Sequence, residues 1–232
     1  MKDNNKKFDR FIKLINKSSF NKLSKKKVLV LGIGGVGGYV VESLVRSGIS
    51  SIIIVDYDRV ELSNFNRQII ADDSSIGKLK VDVFKDRIKS INSECEVICI
   101  NKFIDENNYL ELFDYDIDYF IDCCDSVKTK KLVIEKCLKD NIPIISSMGT
   151  GNRMDPSKLE IVDIRKTSYD PIAREIRKFM RELKTKKKIM VLCSKEIPIK
   201  SRDVVYSNSF VPNSAGLLIT SYVVNDIIKK ED

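Results

Sequence analysis

Short apolar runs recur along the first 150 residues, and their edges leave few folds open to this chain. Val28-Leu-Val-Leu31 runs straight into Gly32, Ile52 to Val55 into Asp56, and Tyr119 to Ile121 into Asp122. Glu96 to Ile100 and Ile142 to Ser146 are two more such runs, the last after an Asn-Ile-Pro turn. Runs that are apolar throughout, rather than alternating, mark strands covered on both faces. Between them, residues 36–47, 77–91 and 127–140 carry apolar residues at helical spacing, with Gly48 placed to end the first helix. Strand and helix in alternation predict an α/β fold: a doubly wound, Rossmann-like, mostly parallel sheet. Ligands of such sheets bind beyond the carboxyl ends of the strands. The loop Gly32–Gly37, Asp56, Asp122 and the stretch Ser146 to Gly151 all fall at that edge.

The flanks read differently. Phe8, Phe11, Ile12 and Ile15 have helical spacing, and a lysine-rich loop is expected after them. Beyond residue 150 the pattern predicts strands at 159–164, 189–193 and 203–206, a basic amphipathic helix at 171–188 and a closing helix at 214–230. Asp170 is a good N-cap for the basic helix and Pro171 suits its first position. Ile172, Ile176, Phe179, Met180 and Leu183 would dock it, leaving Arg174, Arg177, Lys178, Arg181 and Lys184 outside the stripe, followed by Lys186, Lys187 and Lys188.

Composition excludes several classes of function. The 232 residues contain no His, which removes the commonest general base and the commonest zinc ligand. The six cysteines form no CxxC pair, so neither a zinc site nor a disulfide scaffold is expected. Cys193 beside Ser194 and Lys195 is the best thiol nucleophile on offer, yet a strand-end core cysteine is the plainer reading. No apolar run has the length of a membrane span or a secretory leader, so a cytoplasmic protein is expected. The net charge of +8 is concentrated: residues 1–27 hold ten Lys or Arg against two Asp, and residues 164–202 thirteen against four acids. Two basic segments on an acidic body suit a polyanionic partner such as nucleic acid, or merely a solvated surface.

The chemistry gathers in two motifs. Gly32-Ile-Gly-Gly-Val-Gly37 follows a strand and opens a helix, so Gly32, Gly34, Gly35 and Gly37 permit a tight turn whose amides can hold phosphate. Asp56 lies 19 residues beyond Gly37, where a carboxylate can accept hydrogen bonds from ribose hydroxyls. That much fits NAD as well as ATP. The continuation Asp56-Tyr-Asp-Arg-Val-Glu-Leu-Ser-Asn-Phe-Asn-Arg-Gln68 differs from a dinucleotide enzyme, because Asn64, Arg67 and Gln68 can face a polyphosphate. Lys80 adds a further cation, and Asp125 is a carboxylate suited to Mg²⁺.

These residues carry a family resemblance. GIGGVG, DYDRVELSNFNRQ, IGKLK and DCCDS resemble the nucleotide site of the ubiquitin-activating superfamily, which includes the ThiF and MoeB adenylyltransferases. The resemblance implies a single ThiF-type domain over 1–232: a helical arm (1–27), a nucleotide-binding part (28–150) and a substrate-side α/β extension (151–232). It implies ATP contacts from Gly35, Asp56, Asn64, Arg67, Gln68 and Lys80, with Asp125 on Mg²⁺. It also implies a homodimer in which Arg10, ahead of the first strand, reaches the partner's ATP. Ser126, IVDIRKTSYDPIAREIR and SFVPNSAGLLITSYVV are similar to the tRNA threonylcarbamoyladenosine dehydratase branch of the family. Membership there implies an ATP-dependent enzyme that adenylates a threonyl carboxylate on tRNA and closes a ring. A requirement for a monovalent cation, K⁺ or Na⁺, stays open. The rival within the family activates the C-terminus of a ubiquitin-like or sulfur-carrier protein. Outside it stand an NAD-dependent dehydrogenase, sharing only the glycine loop and Asp56, and a non-catalytic tRNA-binding scaffold.

Overall fold

The alternation of apolar runs builds one seven-stranded sheet in the computed structural model, which describes residues 4–201 and 204–229. The strands are β1 (Lys27–Leu31), β2 (Ser51–Val55), β3 (Glu96–Ile100), β4 (Tyr119–Asp122), β5 (Ile144–Ser147), β6 (Leu159–Asp163) and β7 (Met190–Ser194). Their order is β3-β2-β1-β4-β5-β7-β6, and only the β6–β7 pair is antiparallel. The expected mostly parallel, doubly wound sheet is therefore what forms. In β1, Val28 and Val30 enter one core cluster while Leu29 and Leu31 enter the opposite one. That period of two, with apolar residues on both sides, is why the run shows no polar alternation.

Helices cover both faces: α1 (Asn4–Ile15), α2 (Lys17–Ser24), α3 (Gly35–Arg46), α4 (Lys80–Ile91), α5 (Val127–Asp140), α6 (Pro171–Glu182) and α7 (Val211–Lys229). Among the described residues no helix is long and apolar enough to cross a membrane. Buried Ala215, Ile219, Val223 and Ile227 of α7 share a core cluster with Val40, Val41 and Leu44 of α3, so the end of the chain closes the nucleus of the fold.

Four local expectations need correction. The lysine-rich stretch after residue 15 is a helix, α2, because Phe20 and Leu23 are both buried and the Asn16 side chain accepts the Ser19 amide at 2.9 Å. The helix expected over 77–91 begins at Lys80. Gly77 sits at φ +78°, Leu79 is extended, and the Lys80 amide donates to the Asp58 carbonyl at 3.0 Å. The helix expected over 171–188 ends at Glu182, and Lys184 turns to φ +50°. Past Leu183 the sequence offers like charges and no apolar residue to dock a further turn. Residues 204–206 are irregular rather than a strand, and 203 lies outside the described residues. Tyr206 instead exchanges hydrogen bonds with Asn152: its amide donates to Asn152 Oδ1 (2.7 Å) and its carbonyl accepts from the Asn152 amide (2.8 Å).

A charged cluster without exposure sits at the carboxyl end of β4. The Asp122 carboxylate accepts from Lys130 Nζ (3.0 Å), Ser146 Oγ (2.5 Å) and the Cys124 amide (3.1 Å). Lys130 is fully buried. Burial draws its pKa down, Asp122 pushes it up, and the net shift is upward. Lys130→Met would strand the carboxylate in the core. In denaturant unfolding the variant is expected to lose about 3–5 kcal/mol, and a loss below about 1 kcal/mol would mean the pair contributes no more than a surface bridge.

Candidate active site

Two glycines set the shape of the turn after β1. Gly32 has φ +81°, and a Cβ there would stand 2.9 Å from the Cys124 nitrogen, so the turn after β4 packs its backbone directly on this glycine. A Cβ on Gly37 would lie 1.8 Å from the Gly32 carbonyl oxygen, so that glycine lets α3 start tight against the turn. Both are close-packing requirements. Gly32, Gly34 and Gly35 line a cavity, whereas Gly37 is buried behind it and does not reach the wall.

That cavity has a volume of about 480 Å³, within the range of sites for small organic ligands. It opens beyond the carboxyl ends of β1 and β4, the neighbours between which the strand order reverses, as expected for a doubly wound sheet. Asp56, at the end of β2, accepts the Ile33 amide (2.9 Å) and the Asp58 amide (2.9 Å). It thereby holds the glycine turn in place, and a carboxylate keeps further lone pairs for a ligand's hydroxyls. Asn64 is buried and caps its own turn, its Oδ1 accepting the Glu61 amide at 3.2 Å. Arg67 is held over the glycine turn by bonds to the Ser63 carbonyl (2.7 Å) and Asn66 Oδ1 (2.9 Å). Gln68 is buried, lines the wall, and its Oε1 has no hydrogen-bond partner.

Lys80 is the least conventional placement. It is buried at the first turn of α4, where a cation opposes the helix dipole. Its Nζ donates to Asp58 Oδ2 at 2.7 Å, which offsets that cost. Asp125 is exposed on the cavity wall. Asp58, Asp125 and Asp56 all act on Tyr57, whose hydroxyl pKa is raised chiefly by Asp58, then by burial, then by the other two carboxylates. Among the described residues no group of three His, Cys, Asp or Glu could hold a metal by itself. One carboxylate facing a polyphosphate site fits Mg²⁺, which takes few protein ligands and completes its shell with phosphate and water.

Arg10 is exposed on α1 and does not enter this cavity. Other wall residues carried no signal strong enough to single out. Asp58 lies inside the motif already quoted, two residues past Asp56. Lys102 and Phe103 follow β3 in a stretch without pattern, Phe103 packing edge-on to Tyr57 with centroids 5.0 Å apart. Ser147 to Gly151, Ile172, Val205, Ser207 and Pro212 complete the wall, so the extension after residue 150 helps to close the cavity, Pro212 lying against Gly35.

The thiols are poor nucleophiles. Cys193 is buried on β7, and burial pushes its pKa up to about 11, the neighbouring carboxylates of Glu160 and Asp170 adding to the effect. Burial likewise raises Cys123 and Cys124, with Asp122 adding to it.

Comparison with known proteins gives this geometry its relatives. The sequence model of the ThiF family matches residues 8–186. The tRNA threonylcarbamoyladenosine dehydratase of Bacillus subtilis (strain 168) is 42% identical over 240 residues, covering 96% of this chain and 94% of that protein. The crystal structure of E. coli tRNA N6-threonylcarbamoyladenosine dehydratase in complex with ATP superposes with a TM-score of 0.91 at 28% identity, covering 97% of this chain and 94% of that one. The adenylyltransferase and sulfurtransferase MOCS3 of Caenorhabditis briggsae is 36% identical, over only 57% of this chain and 32% of its own length.

The buried thiols allow a direct check. A thiol with the pKa of Cys193 holds about a hundredfold less thiolate at neutral pH than a free one, so alkylation by iodoacetamide at pH 7.5 should be slower by at least that factor. Unfolding should restore ordinary reactivity, and fast labelling of Cys193 in the native protein would contradict its burial.

Proposed function

The chain belongs to the ThiF family, and we propose that it is the ATP-dependent enzyme that dehydrates N6-threonylcarbamoyladenosine on tRNA. One observation carries the reading. The cavity at the strand-order reversal is lined by the charged side chains of Arg67, Lys80 and Asp125 and also by an uncharged stretch, Ser147 to Gly151. A relative of that name covers nearly the whole chain, and another of the same name has been crystallised with ATP. The rival activity, on a ubiquitin-like or sulfur-carrier protein, has support from a relative that matches little more than half of the chain.

The reaction follows from the arrangement. Asp56 would take the ribose hydroxyls of ATP, and Arg67, Gln68 and Lys80 would hold its phosphates beside the glycine turn. Lys80 then exchanges Asp58 for phosphate oxygens. Mg²⁺, held by Asp125 and the phosphates, would supply positive charge against the departing pyrophosphate. The threonyl carboxylate, seated against Ser147 to Gly151, attacks the α-phosphorus, and the bond to the bridging oxygen of pyrophosphate breaks. Arg67 and Lys80 stabilise the charge that develops. A group within the same modification then attacks the activated acyl carbon, its proton is lost, and AMP departs with the former carboxylate oxygen. Ring closure of this kind gains about 7–11 kcal/mol from effective molarity when well oriented, so neither a histidine base nor a protein thiol is required. Cytoplasm is the setting this reading implies.

The basic flanks support a polyanionic substrate. On α6, Asp170 accepts the Ala173 amide at 2.8 Å, and Ile176 and Met180 are buried while Arg174 and Lys178 stand in solvent. Not all of the expected cations are free to bind phosphate: Arg177 donates to Thr167, Lys187 to Leu138 and Asn141, and Arg174 and Lys178 pair with Glu175 (3.5 Å) and Glu182 (3.9 Å).

Two measurements test the reading. Incubation with ATP and tRNA carrying N6-threonylcarbamoyladenosine should convert that nucleoside to a product lighter by one water, detected by mass spectrometry after digestion. Asp125→Ala should abolish the conversion without lowering thermal stability, and an unchanged nucleoside with folded, ATP-binding wild-type protein would refute the activity. If the site is completed by Arg10 of a second copy, Arg10→Ala and Asp125→Ala proteins should each be inactive. Mixing them under subunit exchange should restore part of the activity, because one site per mixed dimer escapes both defects. No recovery despite proven exchange would exclude the shared site.

A further inference from the structure

Large apolar side chains stand in solvent on the segments that meet at the turn after Gly151, a residue of the cavity wall. Met154, Tyr169, Ile199, Val205 and Tyr206 are each between 50% and 74% exposed. Val205 lines the cavity beside Gly151, where an added Cβ would meet its Cγ1, and Ser207 on the other side of Tyr206 lines it too. Tyr206 therefore sits on the rim.

The rim is fixed rather than loose. One turn, Asn152–Met154, collects its parts. Tyr206 is bonded at both backbone groups to Asn152, and the Ile199 amide donates to the Asn152 carbonyl at 2.7 Å. Asn208 Nδ2 donates to the Arg153 carbonyl at 2.7 Å. From the same turn, the buried Arg153 guanidinium reaches the Tyr169 carbonyl (3.3 Å) and pairs with Asp170 (3.4 Å). Tyr169 is thereby held at φ +53°, a conformation that a bulky side chain adopts only when its surroundings impose it. Two tyrosine rings are thus presented to solvent on one braced frame, Tyr206 on the rim and Tyr169 tied to the same turn through Arg153.

The chemistry of the substrate says what would cover them. Resting on the reading above, the reacting group belongs to one base of a polynucleotide, while the cavity holds a nucleotide and little more. With ATP in the cavity only the threonylcarbamoyl arm can enter, so the base that carries it is drawn out of its stack to the rim, which exposes the faces of its neighbours. Unpaired bases are commonly received by aromatic side chains beside cationic ones. The cations nearest in sequence are Lys195 and Lys200 in the segment leading to the rim and Arg174 and Lys178 on α6, within the stretch 164–202 that carries the strongest positive balance. Lys195 rests on Glu160 (2.6 Å), Arg174 on Glu175 (3.5 Å) and Lys178 on Glu182 (3.9 Å), surface pairs weak enough for a phosphate to replace. We infer that Tyr206 and Tyr169 are stacking platforms for the bases flanking the modified adenosine, so that this rim is the RNA-docking surface of the enzyme.

The test separates docking from chemistry. Tyr206→Ala, and Tyr169→Asn (which suits the left-handed backbone and so spares the fold), should each raise the KM for modified tRNA about tenfold or more. The kcat at saturating tRNA and the Kd for ATP should stay unchanged, and Tyr206→Phe, which keeps the ring, should behave as wild type. Unchanged KM in both variants overturns the inference while leaving the dehydratase reading intact. So does a loss of ATP affinity equal to the loss for tRNA, or a change of oligomeric state that makes the rim a contact between copies of the chain. Wild-type protein inert toward modified tRNA removes the reading and this inference with it.

Discussion

The buried Asp122 carboxylate is the point from which the site takes its geometry. Its three hydrogen bonds join the end of β4, the first turns of α5 and the end of β5. By accepting the Cys124 amide it fixes the turn that leads to Asp125. That same turn lies with its backbone against Gly32, which only a residue without a Cβ permits. The two sides of the cavity, glycine turn and carboxylate turn, are therefore set against each other by main-chain contact rather than by adjustable side chains. A fully buried lysine–aspartate pair is seldom the most stable solution for a core. Here it ties together three elements whose ends must agree to within hydrogen-bond tolerance.

Around that frame, function rests on placed charge. With no histidine in the chain, nothing on the cavity wall is an ordinary neutral-pH base, and burial pushes the pKa of Cys123, Cys124 and Cys193 upward. What the wall does supply is a set of cations and carboxylates, most of them already held by a hydrogen-bond partner. Lys80 rests on Asp58, Arg67 on the carbonyls of its own turn, and Asp56 on two amides. A polyphosphate can take over the cationic partners without any of them first becoming unpaired. The second step needs no protein nucleophile because the attacking group travels with the substrate.

Much of this was legible in the sequence, for identifiable reasons. Strands buried on both faces leave a dense apolar signature, so β1 to β5 and the sheet they build could be read from runs such as Val28 to Leu31. The glycine turn and Asp56 could be read because the backbone admits few alternatives there. Other features depend on tertiary contacts that no local pattern encodes. α2 holds only two core residues, Phe20 and Leu23, in a lysine-rich stretch, and its cap Asn16 looks like a loop residue. Lys130 and Ser146 are unremarkable until the fold brings them to Asp122. Lys102 and Phe103 reach the cavity only because β3 ends beside β2. The segment 204–206 has strand-like composition, yet its backbone partner is a single asparagine, Asn152. Arg10 is the converse case: a residue singled out by resemblance that stands in solvent on α1, away from its own chain's cavity.

The central claim is that the threonyl carboxylate attacks the α-phosphorus of ATP in a site built from Arg67, Lys80 and Asp125. Its most direct test follows the oxygen atom. Modified tRNA would be prepared with a heavy-oxygen label in that carboxylate, turned over with ATP, and the nucleotide products weighed. The account predicts one labelled oxygen in the phosphate of AMP and none in pyrophosphate. Label in inorganic phosphate, with ADP as the other product, would mean attack at the γ-phosphorus, and the arrangement proposed for this cavity would be wrong.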